Sequence, residues 1–191
     1  MPLDDFTIRP GKPEDAEFLL PLINRAGEDI PERIWAQMAG PGESSWEVGR
    51  ARILSEDSGI SYRHSWIAEA EGRPAGCLIT RALPDPSPPL DPDLPPLFVP
   101  LQELENEAPG TGYVYVLSTL REMRGRGIGT RLLGFAERYR GPRGMSLIVA
   151  DNNTGAKALY ERCGYREAAR RHMVKDGWDS PGSEWILMLK P

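Results

Sequence analysis

The strongest constraint on the fold is a strand that is followed by a glycine-rich turn and a helix, over residues 112–139. The segment GYVYVLST (112–119) is aromatic and β-branched, which is typical of a strand. Glycines then occupy alternate positions of RGRGIGT (124–130). Apolar residues recur after this turn with a helical period, up to a stop at Gly141-Pro142: Ile128, Leu132, Phe135, Ala136 and Tyr139.

A glycine-rich turn at the start of a helix is suited to binding phosphate. Glycines leave backbone N–H groups uncovered, and the N-terminus of a helix carries about half a positive charge. Arg124 and Arg126 would add charge-assisted hydrogen bonds. The alternative is that the glycines only permit close packing, so the turn by itself does not identify a ligand.

Two well-known nucleotide motifs do not match this turn. A P-loop requires a Gly-Lys-Ser/Thr run, which the sequence lacks. A dinucleotide-binding turn requires G-x-G-x-x-G, but counted from Gly125 the third glycine position holds Thr130. Asp151, at the end of the next strand, lies where a ribose-binding acid would be expected. A nucleotide-dependent oxidoreductase is therefore kept as an alternative.

A second motif lies on a predicted helix over about 154–163, after the apolar strand MSLIVA (145–150). One face of that helix carries residues spaced by 3, 4 and 3 positions: Asn153, Ala156, Tyr160 and Cys163. Asn153 and Tyr160 would lie ~10 Å apart along the axis, which suits an extended arm that bears amides. The alternatives are that Asn153 caps the helix and Tyr160 fills the core.

Taken together, the two motifs resemble the acetyl-CoA signature of the GNAT superfamily of N-acetyltransferases. R-G-R-G-I-G (124–129) and N-x-x-A-x-x-L-Y-E-R-C-G-Y (153–165) follow the family's order and spacing, with one helix and one strand between them. The opening IRPGKPEDAEFL is similar to the family's first strand and helix. The resemblance implies an α/β fold in a single domain over residues 1–191, with a mixed, mostly antiparallel central sheet and helices on both faces. It also implies that residues 84–110 are an insertion.

The resemblance also implies a binding site for acetyl-CoA as co-substrate, without a metal. Backbone amides of the glycine turn would hold the pyrophosphate, and backbone groups of the preceding strand would pair with the pantetheine arm. Asn153 would bond the arm from the other side, and Tyr160 would be the general acid for the leaving thiolate. The residues implied in binding are Leu117, Ser118, Thr119, Arg124, Gly125, Arg126, Gly127, Ile128, Gly129, Thr130, Asn153 and Tyr160.

The implied reaction is direct attack of a primary amine, of a small molecule or of a peptide or protein, on acetyl-CoA in a ternary complex. The absence of a Ser-His or Cys-His pattern agrees with a reaction that forms no acyl-enzyme. A non-catalytic domain that senses acyl-CoA is the alternative in which the same residues bind without turnover.

No general base can be assigned from the sequence. An amine is protonated at neutral pH and must lose a proton before it attacks. Some relatives carry a glutamate five residues before the asparagine, but that position holds Ile148. The carboxylates that we considered instead are Glu69, Asp151, Glu103, Glu105 and Glu107.

The remaining pattern predicts the other elements of the fold. Alternation favours a strand at 5–9, and Pro13 with two acidic residues opens a helix. A poorly periodic helical region at 32–55 is interrupted at Gly40-Pro41-Gly42. The other predicted elements are a hairpin over about 65–80, a short acidic helix at 100–106, and terminal strands at about 165–173 and 184–189.

The segment 84–100 differs in kind, because it holds eight of the 19 prolines and is predicted to be an extended excursion. It is either a surface linker or part of the acceptor site. Residues 81–110 contain one arginine, Arg81, against six carboxylates, so a cationic acceptor would be steered there if the insertion lines the site. These carboxylates belong to Asp85, Asp91, Asp93, Glu103, Glu105 and Glu107.

Composition limits the class of partner and the location. The formal net charge of −5, from 23 basic and 28 acidic residues, argues against nucleic acid and anionic membranes as partners. Two cysteines without C-x-x-C spacing, an acidic MPLDDFTIRP start and no long apolar run favour a cytoplasmic protein. The terminal strands are candidates for pairing between two subunits of a homodimer.

Overall fold

The structure, a computed structural model, describes residues 6–191. Within that range the strands are β1 (Phe6–Pro10), β2 (Ser65–Ala70), β3 (Arg73–Ala82), β4 (Gly112–Thr119), β5 (Met145–Ala150), β6 (Arg166–His172) and β7 (Glu184–Lys190). The α-helices of the same range are α1 (Ala16–Ala26), α2 (Ile30–Met38), α3 (Ser45–Leu54), α4 (Val99–Asn106), α5 (Ile128–Ala136) and α6 (Thr154–Arg162).

The seven strands form a mixed sheet in the order β1-β2-β3-β4-β5-β7-β6. Antiparallel pairs join β1 to β2, β2 to β3, β5 to β7 and β6 to β7. A parallel pair joins Gly112–Val114 of β4 to Met145–Leu147 of β5. This mostly antiparallel sheet confirms the predicted fold class. It is not the parallel sheet of a dinucleotide-binding domain, so the fold on which the oxidoreductase alternative depended is not present in the described residues.

The chain divides into two compact units. The first contains the residues up to Ile79 together with Val116–Gly134, and the second contains Thr80–Tyr115 together with Phe135–Pro191. The glycine turn belongs to the first unit and α6 belongs to the second. Each unit is described by itself below.

The first unit has an apolar core supplied by α1 and its neighbours. Leu19, Leu22 and Ile23 are buried on one face of α1, as the spacing of its apolar residues predicts. Trp35 of α2 is also buried, and its ring lies over Gly49 of α3, where a Cβ would come within 2.5 Å of the indole. Glycine therefore allows α2 and α3 to approach closely.

A charged network fixes the start of α1. The Arg9 guanidinium donates to both carboxylate oxygens of Asp15, at 2.7 and 2.9 Å, and to Glu69 at 2.7 Å. The Lys12 backbone N–H also donates to Asp15, at 2.8 Å. Asp15 is only 6% exposed. Burial alone would raise its pKa, but the bonds from Arg9 and Lys12 outweigh burial and hold the pKa of Asp15 below its usual value.

The end of β4 lies against β3 at Gly76. A Cβ at position 76 would lie 2.9 Å from the Ser118 carbonyl oxygen and 3.2 Å from Cγ2 of Ile128, the first residue of α5. The Leu120 N–H donates to the Ala75 carbonyl at 2.9 Å. Glycine at position 76 thus permits the close packing that positions both ends of the glycine turn.

The second unit is built on β5, β6 and β7, with α4 in contact with β6 and β7. β5 is buried almost throughout, as expected for a strand covered on both faces. The hydroxyls of Thr111 and Ser146 are 2.6 Å apart, which satisfies two buried polar groups beside the parallel pair.

Most of the predicted elements are confirmed, and several keep their predicted bounds. β4 and β5 have the bounds predicted for them, 112–119 and 145–150. The helical region predicted at 32–55 consists of two helices, α2 and α3. The helix predicted from Pro13 begins with a 3-10 turn before α1, and α5 ends in another at Glu137–Tyr139. Residues 1–5, which include the predicted start of the first strand, lie outside the described residues.

We expect the Asp15→Asn variant to lose about 1–3 kcal/mol of unfolding free energy at pH 7, because the amide cannot replace the charged bonds to Arg9. Folding lowers the pKa of Asp15. The stabilisation is therefore fully present above about pH 4, the pKa of an aspartate in the unfolded chain, and is lost as the pH falls through the pKa of Asp15 in the folded protein. Urea titrations from pH 7 to pH 3 should therefore show the variant and the parent converging. Glu14→Gln, at the exposed neighbouring position, is the control; a gap that stays constant with pH would contradict the assignment.

The close packing at Gly76 predicts that Gly76→Ala is destabilised by about 1–3 kcal/mol, because the new methyl group has no space beside Ser118 and Ile128. Gly134 lies within α5 with no atom in the way of a Cβ. Gly134→Ala should instead gain up to about 1 kcal/mol from helix propensity. Denaturant unfolding of both variants checks the pair, and equal stabilities would disprove the packing argument.

Candidate functional site

The glycine turn has the geometry of an open backbone cradle. Gly125 and Gly127 have φ values of +74° and +83°, a region that favours glycine. A Cβ at either position would meet nothing within 4 Å, so the backbone is uncovered there. The Arg131 N–H donates to the Gly127 carbonyl at 3.1 Å, the first bond of the helical pattern. The N–H groups of residues 128–130 come before it, so the helix itself offers them no carbonyl acceptor. Such a turn can bind an anion through its backbone.

The two arginines of the turn differ in their surroundings. Arg124 is exposed, and its backbone closes a 3-10 turn over Arg121–Met123. Arg126 is half-buried, donates to the Met123 sulfur at 3.2 Å, and forms an ion pair with Glu71 of the turn between β2 and β3. Two positive charges therefore lie beside the glycine turn, and the charge of Arg126 is already paired with Glu71.

The backbone direction along β4 follows from its contacts with β3. Backbone groups of alternate residues point to opposite edges of an antiparallel strand. The Leu120 N–H points to β3, and so do the backbone groups of Ser118, whose carbonyl oxygen lies close to Gly76. Leu117 and Thr119, one residue away on either side of Ser118, direct theirs to the other edge.

Asn153 is the N-cap residue of α6. Its side-chain oxygen accepts from the Ala156 N–H at 3.3 Å, and its own N–H donates to the Ala150 carbonyl at 3.0 Å. The capping role considered from the sequence is therefore confirmed. The side-chain NH₂ is a separate group, so capping does not exclude a second role for the amide.

Tyr160 lies on α6 among buried residues and is 8% exposed. Its ring centroid is 6.1 Å from that of Tyr165, at an angle of 60°. Among the described residues the buried Tyr165 hydroxyl has no hydrogen-bond partner, whereas Tyr160 has further interactions. The packing of Tyr160 agrees with the core alternative considered from the sequence.

Two of the carboxylates considered as a base are engaged elsewhere. Glu69 accepts from Arg9, in the network that holds α1. Asp151 accepts from the Ser183 hydroxyl at 2.6 Å and from its N–H at 2.9 Å. The bond from the Ser183 hydroxyl is the main cause that lowers the pKa of Asp151, which makes it a weaker base.

The three glutamates of residues 100–110 are paired with arginines. Arg171 of β6 binds Glu103 at 2.8 Å and also Glu107. Arg81 binds Glu105 at 2.5 Å, and its guanidinium lies 4.7 Å from the Tyr115 ring centroid. Burial raises the pKa of Glu105, although Arg81 and a bond from the Tyr113 hydroxyl oppose this. These pairs compensate much of the acidic charge and weaken the idea that it steers a cationic acceptor.

Two residues that bear on the site were not identified from the sequence. Gly76 could have been found from the sequence, because a glycine inside an apolar strand indicates that another part of the backbone approaches closely. No sequence pattern pointed to the role of Glu71, since its partner Arg126 is 55 positions away and only the fold brings them together.

No three His, Cys, Asp or Glu side chains in the described part of the chain are grouped as metal ligands would be. None of the helices formed by residues 6–191 has the length and apolar character of a membrane span. The expectation that no metal takes part stays a prediction.

Comparisons with solved structures show the fold. An N-acetyltransferase from Staphylococcus aureus Mu50 superposes with a TM-score of 0.62 at 20% identity, over 96% of this chain and 99% of that one. NAA60 of Arabidopsis thaliana, in complex with a bisubstrate analogue, gives 0.59 at 20% identity over 97% of each chain. A chain of the NatC complex bound to Gag peptide and CoA gives 0.55 at 15% identity over 98% of each.

Sequence comparison identifies the family. No curated protein matches the chain. The model of the acetyltransferase (GNAT) family, however, matches residues 31–165, which include both the glycine turn and the Asn153–Tyr165 motif. This match spans well over half of the sequence, and the mixed sheet agrees with it. The chain therefore belongs to the GNAT family of acetyltransferases.

Proposed function

We propose that this acetyltransferase moves an acetyl group from acetyl-CoA to a primary amine by direct attack in a ternary complex. The observation that carries the proposal is the uncovered backbone of Gly125 and Gly127 at the start of α5. A diphosphate is the group in acetyl-CoA that such a backbone suits best. The CoA in the NatC complex and the bisubstrate analogue on NAA60 support acyl transfer as the reaction.

The glycine turn would bind the diphosphate through backbone N–H groups of Gly125–Thr130, including those of Ile128 and Gly129. Arg124 and Arg126 would add charge-assisted bonds to the same group. Glycine at both positions adopts the positive φ values of this turn without strain.

The pantetheine arm would pair with the edge of β4 that faces away from β3, beyond the residues Gly112–Val114 that pair with β5. Of the three residues implicated from the sequence, Leu117 and Thr119 direct their backbone groups away from β3, whereas Ser118 directs its groups toward β3. We therefore assign the backbone contacts to Leu117 and Thr119. An N–H of this edge would also polarise the thioester carbonyl.

Asn153 and Tyr160 would serve the arm and the sulfur. The Asn153 oxygen is used by the helix cap, so its NH₂ group is the one assigned to an arm carbonyl. In the reaction the amine nitrogen forms a bond to the acetyl carbon, the carbon–sulfur bond breaks, and the Tyr160 hydroxyl gives its proton to the departing thiolate. The proton lost by the amine passes to water, since no carboxylate is assigned as the base.

The acceptor is an amine of a small molecule or of a peptide or protein, and its identity is open. The single domain over residues 1–191 with an insertion at about 84–110, the cytoplasmic location, the absence of nucleic acid and membrane partners, and homodimerisation all stay predictions. Incubation with acetyl-CoA and a broad panel of amines, with detection of released thiol, tests the proposed reaction. Tight acetyl-CoA binding without turnover on any amine would favour the sensor alternative.

We expect Tyr160→Phe to lower kcat by about 100-fold or more, with little change in acetyl-CoA affinity, because the phenol acts on the leaving group. Tyr165→Phe is a matched control, since it removes a neighbouring buried hydroxyl that has no partner among the described residues. Steady-state kinetics and calorimetry with acetyl-CoA measure both variants. Unchanged turnover in Tyr160→Phe would remove the phenol from the mechanism.

Two substitutions of Asn153 separate its two roles. Asn153→Asp keeps an oxygen that can cap α6, so we expect near-parental stability but acetyl-CoA affinity weaker by about 2- to 10-fold through one lost hydrogen bond. Asn153→Ala should lose the same affinity and also about 1 kcal/mol of stability. Thermal unfolding and calorimetry give the two readouts. Parental affinity in the aspartate variant would show that Asn153 is only a cap.

A further inference from the structure

Glu71 places a negative charge beside the turn that we assign to phosphate. Its carboxylate pairs with the Arg126 guanidinium, and Arg73 lies farther away, at 3.8 Å. Both Glu71 and Arg126 belong to the first unit. The bond to Arg126 lowers the pKa of Glu71, so the carboxylate is charged at neutral pH.

The position of Glu71 is set by the hairpin between β2 and β3. Glu71 and Gly72 have φ values of +56° and +71°, and Ala70 pairs with Arg73 immediately beside them. This is the two-residue turn that matches the twist of paired strands. The carboxylate is thus presented from a tight turn rather than from a long loop.

Two nitrogens of the Arg126 guanidinium are engaged by neighbouring side chains. One nitrogen faces Glu71, and another faces the Met123 sulfur. The flanking Gly125 and Gly127 leave the backbone open, so an anion bound there would lie beside a cation that is already paired. Two anions would then compete for one guanidinium.

We propose that Glu71 is an internal competitor for Arg126, which a phosphate of the incoming acetyl-CoA must displace or share. The inference rests on the proposed function of the glycine turn. Glu71 is a positioning residue, because it acts through Arg126, and it sets how tightly the cofactor is held. A carboxylate in this place would speed release of CoA at the expense of affinity.

The test is a double-mutant cycle of Glu71→Gln and Arg126→Gln, measured by calorimetry with CoA in low-salt buffer. We expect Glu71→Gln to bind CoA about two- to fivefold more tightly than the parent, the range of an exposed ion pair. In the Arg126→Gln background the same change should have no effect. Steady-state kinetics should show a lower KM for acetyl-CoA in Glu71→Gln, with kcat changed less.

The matched control is Glu56→Gln, which breaks another exposed pair of the first unit, with Arg63, and should leave CoA affinity unchanged. Comparison of CoA with 3′-dephospho-CoA identifies the phosphate: a gain confined to CoA assigns the 3′-phosphate, and an equal gain assigns the diphosphate. Unchanged or weaker binding in Glu71→Gln overturns the inference, and so does a gain that persists without Arg126. A parent that does not bind CoA at all would instead refute the proposed function.

Discussion

The close approach of β3 to the end of β4 is the contact on which the candidate site depends. Gly76 lets the Ser118 carbonyl and the Ile128 side chain lie within about 3 Å of where a Cβ would be. This packing fixes the last residues of β4 and the first residue of α5 together. The turn between them therefore has fixed ends, and its two positive-φ glycines present an open backbone between rigid elements.

The sequence predicted the parts of the fold that depend on local chemistry. β4 and β5 have aromatic, β-branched or continuously apolar sequences, and their bounds agreed with the structure. Asn153 precedes a helix and caps it, because a short polar side chain satisfies an otherwise unpaired N–H. The family was predicted from the resemblance of the two motifs together, in the order and at the spacing of the GNAT superfamily.

The charges of the site were beyond local prediction. Glu71 pairs with Arg126 and Arg171 pairs with Glu103, although each pair is separated by more than fifty positions. Which carboxylate finds which arginine depends on how the strands pair, and no periodicity encodes it. The same limit applies to residues 81–110. Along the chain they form a strongly negative segment, whereas in the fold three of their glutamates pair with arginines.

The proline-rich segment is fastened at its start, to Arg143 and to the end of α4. Asp85 binds Arg143 at 2.9 Å, and Asn106, at the end of α4, donates to the Pro88 carbonyl and accepts from the Ser87 hydroxyl. The entropy of closing a loop grows only slowly with its length, so the exposed residues 89–93, which follow these ties and precede α4, can be lengthened, shortened or replaced at small cost to the sheet. This segment is consequently where related enzymes could diverge in sequence during evolution while the framework that holds the cofactor turn is retained.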